Sequence, residues 1–224
     1  MPEIVKSARG GRRETPLPVR RLDRSGLAIA TRALCLRDPR LADVVRRFGA
    51  PPLWGRPPGF RTLVRIILEQ QVSLAAARTM YRRLEGTTGL LTPAALAHLG
   101  VDGMRALGFT RQKSAYCHGL ALRLVSGELD LGAVARASDE SGRQALLEVR
   151  GLGPWSVDIY FLMALRRPDV WPHGDLALAE SARRLGLTRG RAEPARLNRL
   201  AEQWAPWRAV AARILWHFYL ESGR

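Results

Sequence analysis

Nowhere in this chain does an apolar run reach the roughly 18 residues that a membrane-spanning helix needs. The first twenty residues are charged and contain proline, which is not the pattern of a secretion signal. Together these absences predict a soluble, intracellular protein. Cysteine is almost missing: Cys35 and Cys117 stand far apart, so neither a disulfide framework nor a cysteine-rich metal site can be built. His98, His118, His173 and His217 are scattered without ligand spacing, which argues against zinc. No strict alternation of polar and apolar residues runs long enough to specify a sheet. Lysine is nearly absent too, at only Lys6 and Lys113.

Positive charge is nevertheless abundant. Against 20 acidic residues stand 36 basic ones, a formal net charge of +16 carried almost wholly by arginine. Such an excess favours a polyanionic partner, nucleic acid first, over a merely solvated surface. With 46% hydrophobic residues in 224, the chain can bury a substantial core in one large domain or two small ones.

Residues 1–24 hold seven basic and three acidic residues with no apolar periodicity, and read as a flexible basic arm. From Ser25 onward apolar residues recur three and four apart. Helices are expected over Leu27–Val45, Phe60–Leu68, Leu74–Leu84, Pro93–Leu99, Val101–Leu107 and Gln112–Ser126. Others follow over Asp139–Val149, Ser156–Arg166, Asp175–Leu185 and Pro194–Tyr219. The stretch GAPPLWGRPPG, Gly49 to Gly59, carries four prolines and is a connector. The expected fold is therefore all-α.

One interruption stands out. In VRGLGPWSVDIY, Val149 to Tyr160, two glycines and a proline break an otherwise helical run. Glycine permits a sharp bend or a close approach, and proline suits the first turn of a helix. The first amides of the second helix are left without partners inside it, with the positive end of the helix dipole behind them. That is an anion site made of main chain, which would grip a phosphate without reading sequence. Taken alone, the same pattern also suits a plain turn between packed helices. Asp175, at the start of a helical run, is by the same token an ordinary N-cap residue.

Four segments in order carry more. RGLGPWSVDIYFLMAL with RPDVWPHGDLAL after it, ILEQQVSLAAARTM (Ile67–Met80), LGFTRQKSAYCHGLALRLVSGELDL (Leu107–Leu131) and WAPWRAVAARILWHFY (Trp204–Tyr219) resemble the helix-hairpin-helix DNA glycosylase superfamily. The resemblance spans about Phe60 to Tyr219 and is nearest the 3-methyladenine DNA glycosylase II branch, in a single-module form without the N-terminal mixed domain of longer relatives.

It implies two helical subdomains, residues 59–165 ending in the hairpin and residues 25–58 with 166–224, with an interdomain catalytic cleft. Asp175 becomes the catalytic carboxylate, Trp216 and Trp155 the base pocket, and Gln71 the wedge that fills the gap left by an everted base, with Gln70 the neighbouring polar loop residue. Tyr160, Trp171, Trp204 and Trp207 are read as core. Arg150, Gly151, Leu152, Gly153 and Trp155 form the phosphate-binding hairpin, where Arg150 replaces the family's usual proline. Trp155 stands where lyase members carry a nucleophilic lysine, so no Schiff base forms there and the enzyme is expected to be monofunctional. Iron–sulfur ligation, present in some relatives, is excluded by two cysteines. No side chain is expected to hold a metal; a sodium or potassium ion on the hairpin carbonyls is implied by relatives alone. The expected partner is double-stranded DNA with alkylated bases, acted on by a monomer. Two other readings stand beside this one: a DNA-binding protein without catalysis, and a glycosylase for oxidised or mismatched bases.

Overall fold

A computed structural model describes residues 21–190 and 192–223; the expected arm up to residue 20 lies outside the described residues. Residues 21–24, read from the sequence as its end, belong instead to the folded body. Leu22 is buried and its N–H donates to Arg166 O at 2.7 Å, and Asp23 caps helix α1 (Arg24–Arg37) by accepting from Gly26 N. Twelve α-helices and no strand occur among the described residues, so the protein is all-α.

Three runs differ from expectation. The run 27–45 is two helices, α1 and α2 (Pro39–Phe48), because Pro39 cannot continue α1 and Asp38 caps the new start. Asp38 is buried and serves twice: Oδ1 accepts from Arg40 N and Oδ2 from Trp204 Nε1, each at 3.0 Å. The run 194–219 is likewise two, α11 (Pro194–Glu202) and α12 (Arg208–Glu221), separated where fully buried Trp204 packs 5.5 Å from Trp171. A short helix, α7 (Leu131–Arg136), went unforeseen because six residues are too few to show a period.

The remaining elements are α3 (Phe60–Glu69), α4 (Leu74–Thr88), α5 (Pro93–Ala106), α6 (Arg111–Val125), α8 (Asp139–Leu147), α9 (Pro154–Met163) and α10 (Leu176–Arg184). The two short helices expected over 93–107 meet at Gly100, whose φ of 69° kinks α5.

Helices α1, α2, α10 and α11 pack around α12, while α3 to α9 pack on one another. Residues Ala209 to Trp216 of α12 are all buried, which is why its sequence shows so little amphipathic pattern. Arg213 is among them: its Nη2 donates to Trp54 O at 2.8 Å and to Leu162 O at 3.1 Å, tying α12 to the proline-rich connector and to α9. Burial, with Arg166 nearby, pushes its pKa down to about 10. No helix among the described residues is long and apolar enough to cross a membrane.

Candidate active site

The hairpin is anchored by what it buries. Val149 and Leu152 sit in the core, Leu152 N donates to Val149 O at 3.0 Å, and Arg150 and Gly153 are left exposed at the tip. Gly151 is obligatory. Its φ is 97°, and a Cβ there would lie 2.3 Å from Cγ of Tyr116. Gly153 is not: its φ of −81° and ψ of 175° suit any residue, and a Cβ would meet nothing within 4 Å. Helix α9 then starts with Pro154, and no side chain caps it. Its first-turn amides are therefore available to an outside acceptor, as the sequence suggests.

The carboxylate is held by three N–H groups. Asp175 is the N-cap of α10 and is buried, at 8% exposure. Oδ1 accepts from Leu178 N at 2.9 Å and from Trp216 Nε1 at 3.1 Å, and Oδ2 accepts from Trp155 Nε1 at 2.9 Å. It is thus both the cap and the centre of a hydrogen-bonded set, so the two readings of this residue are compatible. The loop before it is tied down separately: Asp158 of α9 pairs with Arg143 and accepts from His173 N at 2.9 Å, and the His173 ring meets Asn198 at 2.9 Å. Burial lowers the pKa of Arg143, countered by Asp139.

Between α3 and α4, Gln70 and Gln71 part ways. Gln70 Nε2 donates to Gly151 O and to Ser156 Oγ, both at 2.8 Å, and so braces the hairpin. Gln71 is exposed, with φ at 56°. A non-glycine residue in that region stores about 1 kcal/mol of backbone strain, sustained only by surroundings that over-determine it. Lys113 supplies part of that: buried, it donates from Nζ to Leu68 O at 2.6 Å and Gln70 O at 3.0 Å, closing the C-terminus of α3. Burial lowers its pKa, against an opposing effect of Cys117.

These parts face one groove of about 900 Å³, lined by Gln70 and Gln71, by Arg150 to Ser156, and by His173 to Ala177. Gln71, the hairpin residues, Trp155 and Asp175 all reach it. Trp216 does not: at 9% exposure it supports the Asp175 carboxylate from the buried stretch Ala209 to Trp216 of α12 and lies outside the groove lining. Tyr160, Trp171, Trp204 and Trp207 are buried. Gln70's bridge, Ser156, Asp158 and Lys113 went unsingled from the sequence. The one hint was Lys113, one of only two lysines in a chain rich in arginine.

No group of three or more His, Cys, Asp or Glu placed to hold a metal ion occurs among the described residues. Of the hairpin carbonyls, Gly151 O already accepts from Gln70 and Val149 O from Leu152 N.

Residues 64–206 match the family described as HhH-GPD superfamily base excision DNA repair protein. A DNA-3-methyladenine glycosylase of Bacillus subtilis is 25% identical over 191 residues, covering 80% of this chain and 63% of the relative. Among solved structures, a DNA-3-methyladenine glycosidase from Bacillus halodurans superposes with a TM-score of 0.75 at 28% identity, over 85% of this chain and 88% of that one. A Schizosaccharomyces pombe 3-methyladenine DNA glycosylase in complex with abasic DNA gives 0.72 at 25% identity, over 85% and 94%. The chain spans 58% and 63% of the lengths of two Bacillus subtilis relatives that it matches.

Proposed function

Because the chain belongs to the HhH-GPD superfamily of base excision DNA repair proteins, we propose that it is a monofunctional DNA glycosylase, hydrolysing the bond between deoxyribose and an alkylated purine of the 3-methyladenine type. The observation that carries this reading is the Asp175 carboxylate, fixed by Trp155, Trp216 and the Leu178 amide at a groove shared with the hairpin and Gln71. The relatives named above support the substrate class.

An alkylated purine is already cationic and departs readily, so the barrier lies in the positive charge that develops on the sugar. A fixed carboxylate stabilises that oxocarbenium-like charge, and a water it orients completes hydrolysis. The base reaches the site only by leaving the stack, at a few kcal/mol, least where the pair is damaged. Gln71, on its strained turn, fills the space left behind. The Trp155 ring, half-buried in the groove wall, offers a cationic purine an aromatic face. Main-chain N–H groups of Gly151, Gly153 and Trp155, with Arg150, hold the strand. A sodium or potassium ion would share the hairpin carbonyls, each of which keeps a second lone pair. The protein acts as a monomer on duplex DNA inside the cell.

The test is release of 3-methyladenine, 7-methylguanine, hypoxanthine and 8-oxoguanine from duplexes, by the wild type and by Asp175→Asn. The expected result is release of methylated purines, lost by about a hundredfold or more in the variant with DNA affinity retained. Equal rates in both proteins would leave a DNA-binding protein without this mechanism, and preferred release of 8-oxoguanine would reassign the lesion.

A further inference from the structure

Helices α3 and α4 enclose a second cleft, of about 560 Å³, whose walls are basic. Arg61 and Arg65 of α3 and Arg78 and Arg82 of α4 line it, with Glu85 the one acidic residue in the lining. The α3 pair is fixed by neighbours: Arg61 donates to the Tyr81 hydroxyl at 3.2 Å and pairs with Glu85, and the Arg65 guanidinium stands 5.1 Å from the centre of the Tyr81 ring. Arg78 and Arg82 are exposed and have no acidic partner among the described residues. Four residues apart on one helix, they share a face. Arg78 Nε donates to Leu74 O at 3.3 Å, which draws that side chain back toward the start of α4. Leu74 follows Gln71 by three residues, and at the helical rise Arg78 and Arg82 stand about 6 and 12 Å along α4 from it. The unpaired charge thus runs away from the loop that carries the wedge.

We propose that this cleft is a second DNA phosphate site, in which Arg78 and Arg82 hold phosphodiesters of the duplex beside the everted nucleotide. The proposal rests on the glycosylase reading and adds to it a contact made by side chains, remote from the main-chain hairpin. Guanidinium groups suit it, since their planar fork meets two phosphate oxygens at once. Arg61 and Arg65, oriented by Tyr81 and paired with Glu85 and Glu69, form the facing wall. Such contacts add grip and register without sequence preference.

The experiment compares the wild type with the double variant Arg78→Gln/Arg82→Gln. Affinity for an undamaged duplex and for an abasic-site duplex is measured between about 50 and 200 mM salt, with inorganic phosphate alone as a separate arm. Two lost phosphate contacts reduce the log–log salt slope by about 2, so across that range the wild type loses about tenfold more affinity than the variant. At low salt the variant binds both duplexes more weakly. Its melting temperature stays unchanged, because both side chains are exposed. Equal affinity and equal slope in the two proteins overturn the proposal. So does a phosphate-induced rise in melting temperature that the variant lacks while its DNA affinity matches the wild type, which would make this a small-anion site. A wild type that neither binds duplex nor releases base removes the glycosylase reading and this one with it, whereas an active wild type with an unaltered variant removes only the cleft.

Discussion

Gly151 and Gly153 stand two residues apart in one turn and answer to different demands. Gly151→Ala places a methyl against the Tyr116 ring and forces an L residue to a φ of 97°. Overpacking and backbone strain together destabilise by about 3 kcal/mol, visible in a thermal melt. Gly153→Ala has open space and an ordinary backbone, and removes freedom from the unfolded chain, so its melting temperature holds or rises slightly. Its affinity for duplex DNA falls all the same, equally on every sequence, if a strand lies over that amide. A second prediction concerns Trp216→Phe, which keeps the ring and deletes one donor to Asp175. Turnover drops about tenfold, the scale of one hydrogen bond to a charged group, with KM for lesion DNA unchanged. An unaltered kcat would leave Trp216 to packing alone. Asp175, Trp155 and Gln71 could be singled out in the sequence because each sits at a fixed place in an ordered motif, and the fold brings all three to one groove. The Gln70 bridge and the Tyr116 ring beneath Gly151 were not, since they join positions 81 and 35 residues apart that meet only in the fold.

At the level of elements, periodicity located the helices well and misjudged their joins. It ran two pairs together, at Asp38 and at 203–207, because the apolar rhythm continues across both breaks. Pro39 and the Asp38 cap make the first break, and one long-range bond, Trp204 Nε1 to Asp38 Oδ2, ties it to the second, so that a carboxylate caps α2 while receiving an indole 166 residues away. Burial opposes ionisation of Asp38, but hydrogen bonds from Arg40 and Trp204 outweigh it and hold the carboxyl below the usual range. A depressed carboxylate contributes stability that is complete above about pH 4 and disappears as pH falls through the folded-state value. Asp38→Asn turns an amide NH2 toward the donors of one carboxylate oxygen, Arg40 or Trp204, so it destabilises by about 1–3 kcal/mol near neutral pH. Its melting temperature also falls less steeply than the wild type's below pH 4. Parallel acid melting curves for the two proteins would show that Asp38 carries no such linkage.

For the molecule as a whole, the excess of arginine anticipated a polyanionic partner, and the match of residues 64–206 gives that charge a setting. The sequence also shows its near lack of amines, and the structure adds what became of one of them. Lys113 is buried with its Nζ on two carbonyls, and the other lysine, Lys6, lies outside the described residues. If the site works as proposed, with Trp155 rather than a lysine at the groove and Lys113 held in the core, borohydride should trap no covalent complex with lesion DNA, and product strands should stay intact until alkali is added; a trapped adduct would overturn the monofunctional reading. What no linear pattern displays is how the parts of the site are shared out. The indole on Oδ2 comes from α9, which packs with α3 and α8, whereas the indole on Oδ1 comes from α12, which packs with α1, α2 and α10. The support of the Asp175 carboxylate is thus divided between the two packed groups of helices. If the site works as proposed, loosening along this seam slackens the support of the carboxylate while the hairpin keeps its own brace from Gln70, so base release falls before the grip on DNA does.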